Sequence, residues 1–404
     1  TTCHPCTKCT RANKQHSRQQ LVVRLSHPMG PGEQDVDDGL VTQLCHRYYQ
    51  ALYYTQIQES LLVVLNPFRP AIDVNSEDIL RAYRREFRNT RITQHHAPLP
   101  PHIFRLAHNA YFYMQRTGQD QCLFFLGETA SGKTETRRLA AHALTGLGAA
   151  LPGKRGARLS FQLPAALYAL ECMGRVVTDE NDQASSMALY AELQFSQNGR
   201  LVGFKMLNYF LESARATVQW DTTSTFHVFH MLVHGASAEH ARRWQIMQDT
   251  SFRLLEHVHD ATSLQVNSDA KFSLWLDALS QLGITTSQCD ALLDVLAALL
   301  HLSNIDFVQD DGPLCPARVA SEEPLYIAAA LLGVGASSLA NALTHHTRVV
   351  NGQLCTALLD REHATKSRDR LMRMLYSQVF AWVNEHINSC FSHEHFDTYI
   401  GLMD

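Results

Sequence analysis

The chain has 404 residues, 45% of them apolar and 18% charged, and a net charge of −4. At roughly 150 residues per domain this allows two or three lobes with a large core and excludes a mostly disordered chain. The balanced charge gives no global pull towards nucleic acid or an anionic membrane, and no apolar run reaches the roughly 20 residues that span a bilayer.

Residues 1–34 read as a polar, disordered leader that ends in Pro28-Met29-Gly30-Pro31-Gly32. Its basic first twenty residues lack the pattern of a signal peptide. The chain opens on Thr1 rather than Met, which reads as a fragment or a conceptual translation. Cys3, Cys6 and Cys9, with His4 beside them, have metal-like spacing, but no second cluster completes a ligand set. The other seven of the ten cysteines stand singly, as reduced thiols of a cytosolic protein do.

From Leu40 a helical pattern begins. Residues 61–65 form an apolar run stopped by Asn66-Pro67, which predicts a buried strand entering a turn. Arg81, Arg84, Arg85 and Arg88 share one helix face, read as solvated. Ile103, Leu106, Ala107, Ala110, Tyr111 and Met114 fit one face of a second helix. Residues 122–126 predict a second buried strand, 127–134 a loop and 135–144 a helix. Five residues of glycine and proline between 146 and 156 suggest a surface loop over 146–160.

Residues 190–195 and 201–204 flank Gln197-Asn198-Gly199 as a β-hairpin. After residue 225 helical patterns dominate. Ala291, Leu292, Val295, Leu296, Leu299 and Leu302 make one apolar face. Leu371, Met374, Leu375, Val379, Trp382, Val383 and Ile387 make another. His227, His230 and His234 also share a helix face, but Phe226, Phe229 and Leu232 around them favour a packed helix over a metal site.

The strongest chemistry is Gly127-Glu128-Thr129-Ala130-Ser131-Gly132-Lys133-Thr134, which matches G-x-x-x-x-G-K-[ST] between a strand and a helix. In such a loop backbone N–H groups converge on phosphate oxygens, and the positive end of the following helix faces them. Lys133 supplies a charge to the β/γ-phosphates, and the Thr134 hydroxyl can ligate Mg²⁺. Glu128 and Glu135 flank the loop and read as tuning it. Phosphoryl transfer needs more: polar residues that sense the γ-phosphate and an acid near the metal. The polar segment 181–186 and Asp404, which ends an apolar strand-like run, supply those residue types.

These segments resemble the myosin motor head. LVVLNPF at 62–68 is similar to the strand and turn that enter the family's adenine pocket, and PHIF at 101–104 to the start of the helix before its phosphate strand. GETASGKTE at 127–135 resembles the family's GESGAGKTE. LECMG at 170–174 and NDQASS at 181–186 sit where myosins carry LEAFGNA and the first switch, NDNSSRFGK. NGRLVG at 198–203, FHVF at 226–229, LAALLHLSNIDF at 296–307, Ser367-Arg368-Asp369 and YIGLMD at 399–404 continue the match in order. Among the classes, the unconventional, XV-like heads are the guess.

The resemblance implies an α/β fold: a P-loop NTPase-type twisted mixed sheet with flanking helices plus a mainly helical lobe. It divides 35–404 into a nucleotide-binding core (35–224 and 391–404) and an upper lobe (225–390). It implies ATP and Mg²⁺ as cofactors. Gly127 to Thr134, Asn66, Pro67 and Asn181 would bind the nucleotide, Thr134 and Ser185 the metal, and Ser185 and Asp404 would serve catalysis. It implies actin filaments as partner, contacted near 348–352, and a cytoplasmic, cytoskeletal location. Light chains and cargo would need the part of a myosin that follows the second switch.

Departures from the pattern point to altered chemistry. The family's first-switch Arg, which pairs with a second-switch Glu that would lie beyond Asp404, is Ser186 here. Its first switch serine is Ala184, and its Gly and Lys are Ala188 and Leu189. Ala130 replaces a loop glycine, which matters if that position needs φ > 0. An adenine-side Tyr falls at Val74, and the charged pair before FHVF becomes Thr223-Ser224. The resulting expectation is retained nucleotide binding with weakened or lost hydrolysis. The alternative to a motor is a pseudo-motor that acts as a nucleotide- or actin-binding scaffold; an unrelated P-loop ATPase or kinase and a Cys-based metal module are the remaining readings.

Overall fold

The computed structural model describes residues 34–404, apart from 70, 90–98, 150–153, 179–180, 218–223, 247–249, 256–267, 311–314 and 352. The expected leader, with Cys3, Cys6 and Cys9, lies outside the described residues except for position 34. The chain divides into two units after Leu52. In the first, α1 (Gln34–Tyr49) is a helix whose described side chains are exposed or half-buried.

The second unit opens with an antiparallel ribbon of β1 (Tyr54–Gln58) and β2 (Leu61–Val64). β2 is half-buried rather than buried as expected, because β1 is its only partner among the described strands. After the short α2 (Ile72–Asn75), α3 (Glu77–Asn89) carries the arginine stripe. Arg81 pairs with Asp78 at 2.7 Å, as on a solvated face, whereas Arg84, which pairs with Glu77 at 3.5 Å, is only 22% exposed and packs against Gly146. α4 (Ile103–Thr117) buries Ile103, Ala107, Ala110, Tyr111 and Met114 at the predicted spacing, and Gly118 ends it at φ +65°.

β3 (Gln121–Phe124) differs from expectation. Leu123 is buried, but Cys122 and Phe124 are exposed, and Leu126 beyond the strand is 82% exposed. An apolar run predicts two covered faces; here β3 is an edge strand of the described sheet.

The expected surface loop over 146–160 is largely helix. α5 (Lys133–Ala149) and α6 (Lys154–Gly174) hold Gly146, Gly148 and Gly156, and 150–153 lie outside the described residues. Close approach explains the glycines. A Cβ on Gly148 would come 2.8 Å from Leu201 Cβ and 3.0 Å from Phe195 Cε1. Gly148→Ala is therefore expected to destabilise the fold by about 1–3 kcal/mol through overpacking, despite alanine's higher helix propensity. Urea unfolding midpoints would show it; a stabilised variant would mean the helix shifts freely.

Next come the hairpin β4 (Arg175–Thr178) and β5 (Asn181–Ser185), and the longer hairpin β6 (Ala188–Phe195) and β7 (Leu201–Tyr209). The second was expected and turns through Gly199 at φ +72°. From residue 227 to 391 the described chain is mainly helical. It runs through α7 (His227–Gly235), α8 (Ala238–Arg243), α9 (Ser268–Gln281) and α10 (Thr286–Ser303). The small ribbon β8 (Phe307–Val308) and β9 (Arg318–Val319) precedes α11 (Glu322–Leu332) and α12 (Ala336–Thr344). The exposed hairpin β10 (His345–Val350) and β11 (Gln353–Leu358) leads to α13 (Arg361–Phe391). No single described helix is long and apolar enough to cross a membrane.

α10 buries Leu292, Leu296, Leu299 and Leu302 as expected, while Ala291 is exposed. In α13 the buried stripe is rotated from the expected one. It runs Met372, Tyr376, Phe380, Val383, Ile387, while Met374 is 54% and Trp382 37% exposed. In α7, burial pushes the His227 and His230 imidazoles down to about 3 and about 4. They are neutral members of a packed helix, in line with the structural reading.

The last strand, β12 (Thr398–Met403), completes the main sheet, in the order β3-β12-β6-β7. It runs parallel to β3, with Met403 opposite Phe124, and antiparallel to β6. The sheet is thus mixed, with its one parallel pair made of segments from opposite ends of the unit.

Candidate functional site

In sheets with parallel strands, ligands bind beyond the strands' carboxyl ends. β3 runs directly into 127–134, and its parallel neighbour β12 runs into Asp404. The Phe125 N–H donates to Met403 O at 2.9 Å, so register is kept to the very end of both strands. That fixes the loop and the acid side by side.

The loop is held by its own residues. Lys133 Nζ donates to Gly127 O at 2.9 Å and Glu128 O at 2.8 Å. Asn66 Nδ2 donates to Ala130 O at 2.7 Å, and its Oδ1 accepts from Phe68 N at 2.9 Å. One asparagine therefore ties the β2 turn to the loop. Gly127 at φ +152° and Gly132 at φ +91° occupy backbone space that side chains rarely adopt. A Cβ on Gly127 would also sit 2.6 Å from Ser131 Oγ.

Ala130 does sit at φ +61°. The position needs the left-handed conformation, and an alanine holds it at a cost of about 1–2 kcal/mol. Ala130→Gly relieves that strain, partly offset by the freer unfolded chain. Its expected effect is a gain of up to about 1 kcal/mol in stability, read by thermal melting. A loss would mean that the Ala130 methyl packs usefully.

On the metal side, Thr134 Oγ1 donates to Asp404 Oδ2 at 2.7 Å. Its proton faces the carboxylate, which leaves the hydroxyl lone pairs for a cation. Asp404 is nearly buried, with 9% of its side chain exposed. An oxygen pair of this kind beside a phosphate loop suits Mg²⁺, a hard cation that prefers few protein oxygens plus phosphates. The residues fit the nucleotide and metal that the sequence implied.

A cluster that sequence reading missed lies behind Asp404. Arg137 on α5, 1% exposed, donates from Nε to Asp404 Oδ2 at 3.3 Å and from Nη2 to Glu171 Oε1 at 2.6 Å. Glu171 on α6 also accepts from Arg175 Nη2 at 2.7 Å and from Arg138. Burial pushes the Glu171 carboxyl up, but Arg175, Arg138 and Arg137 together hold it below the usual carboxylate range. Arg175 Nη1 goes on to Gln183 Oε1 at 2.9 Å, on β5. The signal was present: Arg137 falls on the face of α5 that buries Ala140, Ala141 and Leu144, and a buried Arg needs a carboxylate.

Residues 34–404 match the Myosin head (motor domain) family. The chain belongs to that family. It is 42% identical over 368 residues to chitin synthase 8 of Mycosarcoma maydis, covering 91% of this chain and 18% of that protein. It is 34% identical over 378 residues to chitin synthase 5 of Cryptococcus neoformans var. grubii serotype A, covering 91% and 20%. It is 29% identical over 354 residues to unconventional myosin IC of Drosophila melanogaster, covering 87% and 33%. The chain thus spans between 18% and 33% of these relatives' length. The expected α/β fold with a mixed sheet is that of the myosin head. The XV-like class gains no support from these relatives.

With the myosin pattern as reference, the expected site residues separate into two groups. Gly127 to Thr134, Asn66 and Asp404 form one cluster, with Pro67 in the turn beside it. The first-switch segment forms the second group and ends three residues before Leu189, whose N–H and carbonyl pair with the Asp404 main chain at 3.2 and 3.1 Å. It is strand β5, not a loop, and Asn181 Oδ1 accepts from Gln183 N at 2.9 Å within the same hairpin. Ser185 is exposed on β5, opposite Arg175. A side-chain path from this strand to Asp404 runs through Arg175, Glu171 and Arg137. Ser186, where myosins carry Arg, is 4% exposed. Its N–H donates to Gly174 O at 2.8 Å and its carbonyl accepts from Glu212 N at 3.0 Å. Thr223 lies outside the described residues, and Ser224 Oγ accepts from Val177 N at 2.7 Å.

Proposed function

We propose that this myosin head binds ATP with Mg²⁺ in the loop 127–134 and does not turn it over. The observation that carries the reading is the 2.7 Å bond from Thr134 to Asp404 at the ends of two adjacent parallel strands. Lys133 and the loop N–H groups hold the phosphates, Thr134 ligates the metal, and Asp404 orients Thr134 and the metal's water shell. Asn66 and Pro67 shape the adenine side, and Asn181 and Ser185, on the β4–β5 hairpin, are the first-switch residues assigned to the γ-phosphate and metal. Bound Mg²⁺ supplies charge neutralisation between the β- and γ-oxygens.

Impaired hydrolysis follows from Ser186. Phosphoryl transfer depends on positioning and charge stabilisation, and a serine hydroxyl supplies no guanidinium charge. The same reading makes 35–224 with 391–404 the nucleotide core and 225–390 an upper lobe, with actin met near the exposed 345–358 hairpin. It places the protein with the cytoskeleton, with light chains and cargo served by sequence outside this chain. Titrating a fluorescent ATP analogue with Mg²⁺ and with EDTA tests the site. Affinity should rise with Mg²⁺; equal affinity in both would remove Thr134 and Asp404 from the metal site.

A second reading concerns the whole protein. Identity of 42% to chitin synthase 8 exceeds the 29% to unconventional myosin IC, which favours a head that serves a longer chitin-synthase-like polypeptide. Sequencing the full-length transcript decides it. A synthase-like frame downstream supports this reading, and a frame continuing as a stand-alone myosin contradicts it.

A further inference from the structure

Between the metal-side aspartate and the first-switch strand runs an unbroken chain of polar side chains, all charged except the last. Asp404 accepts from Arg137, Arg137 donates to Glu171, Glu171 accepts from Arg175, and Arg175 donates to Gln183. Every inner link is buried: the side chains of Arg137, Glu171 and Arg175 are 1%, 3% and 12% exposed. It joins four elements, β12, α5, α6 and the β4–β5 hairpin.

We propose that Arg137 is a positioning residue that fixes Asp404 for Mg²⁺ and, through Glu171 and Arg175, couples it to the β4–β5 hairpin. This rests on the reading of 127–134 as a Mg-nucleotide site. Three features carry it. Thr134 and Arg137 converge on the same oxygen, Asp404 Oδ2, so the guanidinium sets where that carboxylate points. Behind it the Arg137–Glu171 and Glu171–Arg175 links are short, 2.6 and 2.7 Å, as charge-assisted bonds shielded from water are, while the Arg137–Asp404 bond is longer at 3.3 Å. Arg137 Nη1 is buried and has no hydrogen-bond partner among the described residues, so the guanidinium keeps a donor in reserve when a cation draws on Asp404. And Gln183 is exposed, so Arg175 ties the buried charges to the outer face of the hairpin, whose inner face is held by buried Ala184.

Such partners behind a metal ligand set its orientation and basicity. Ser186 supplies no charge between the first switch and the strand end. Arg137 does so from the phosphate-loop helix instead, behind the metal rather than across the nucleotide.

The test uses the chain, Arg137→Met, Arg137→Lys and Gln183→Ala, each checked for a cooperative melt. Without nucleotide, amide hydrogen exchange of 181–185 should quicken about fivefold in Arg137→Met and Gln183→Ala, the size of one lost hydrogen bond. Exchange in β6 and β7 should stay as it is, and Arg137→Lys should fall between. With a fluorescent ATP analogue, Arg137→Met should raise the Mg²⁺ concentration for half-maximal enhancement about tenfold or more. Its affinity in EDTA should change less than about twofold, and Arg137→Lys should recover part of the loss. An Mg²⁺ midpoint and a 181–185 exchange rate equal to those of the unaltered chain would overturn the proposal. If Arg137→Met does not fold, Arg137→Lys and the solvent-exposed Gln183→Ala decide. If the unaltered chain binds no analogue, the nucleotide reading fails by itself, and the exchange arm still decides the relay.

Discussion

Lys133→Ala should weaken Mg-ATP binding by about a hundredfold or more, the loss of two charge-assisted hydrogen bonds to phosphate. In the free chain its ammonium bonds two exposed backbone carbonyls, Gly127 O and Glu128 O. Losing those contacts should cost less than about 1 kcal/mol of stability, because water replaces the donor. The variant therefore separates binding from folding. Equilibrium titration with a fluorescent ATP analogue reads the first, and thermal melting reads the second. Undiminished affinity in a folded variant would mean that the nucleotide sits elsewhere.

Glu171→Gln should be the most destabilising single change in the site. The carboxylate is 3% exposed and answers three guanidiniums, so removing its charge leaves buried cations facing a neutral amide. Breaking one side of a buried ion pair costs about 3–5 kcal/mol. The effect has a pH signature. The folded carboxyl is held below its ordinary 4.5, so its stabilisation is complete above that value and is lost as pH falls through the lowered one. Urea unfolding at pH 7 should show the full gap between variant and parent, and the gap should close as the pH is taken well below 4.5. A gap of constant size across that range would assign the effect to packing instead of charge.

How far the sequence reached depends on the range of the interactions involved. The phosphate loop was legible because its signal is local: glycines where φ is positive, then Lys133-Thr134 at a helix start. Even the Ala130 departure carried its consequence, the φ of +61°. Asp404 was placed as a metal-side acid from its strand-like lead-in, but its bond to Thr134 spans 270 positions and only sheet pairing supplies it. The Arg137–Glu171–Arg175 relay went unread because the default for an arginine, used for the α3 stripe, is a solvated side chain. That reading holds for Arg81 and fails for Arg137, whose face of α5 is apolar. Two further errors have separate causes. The stripe of α13 is offset because flanking Leu371, Leu375 and Val379 are half-buried too, which blurs the face. And Gly146 and Gly148 suggested a loop where close packing against Arg84 and Leu201 demanded them inside a helix.

The central claim is that Thr134, Asp404 and the loop 127–134 hold a Mg-nucleotide that the Ser186 site does not turn over. Mixing the folded chain with a fluorescent ATP analogue in Mg²⁺, and following phosphate release in the same samples, tests it most directly. Saturable, Mg²⁺-dependent binding with phosphate appearing no faster than in protein-free buffer is the expected result. Absence of binding, or steady release that Lys133→Ala abolishes, would contradict it.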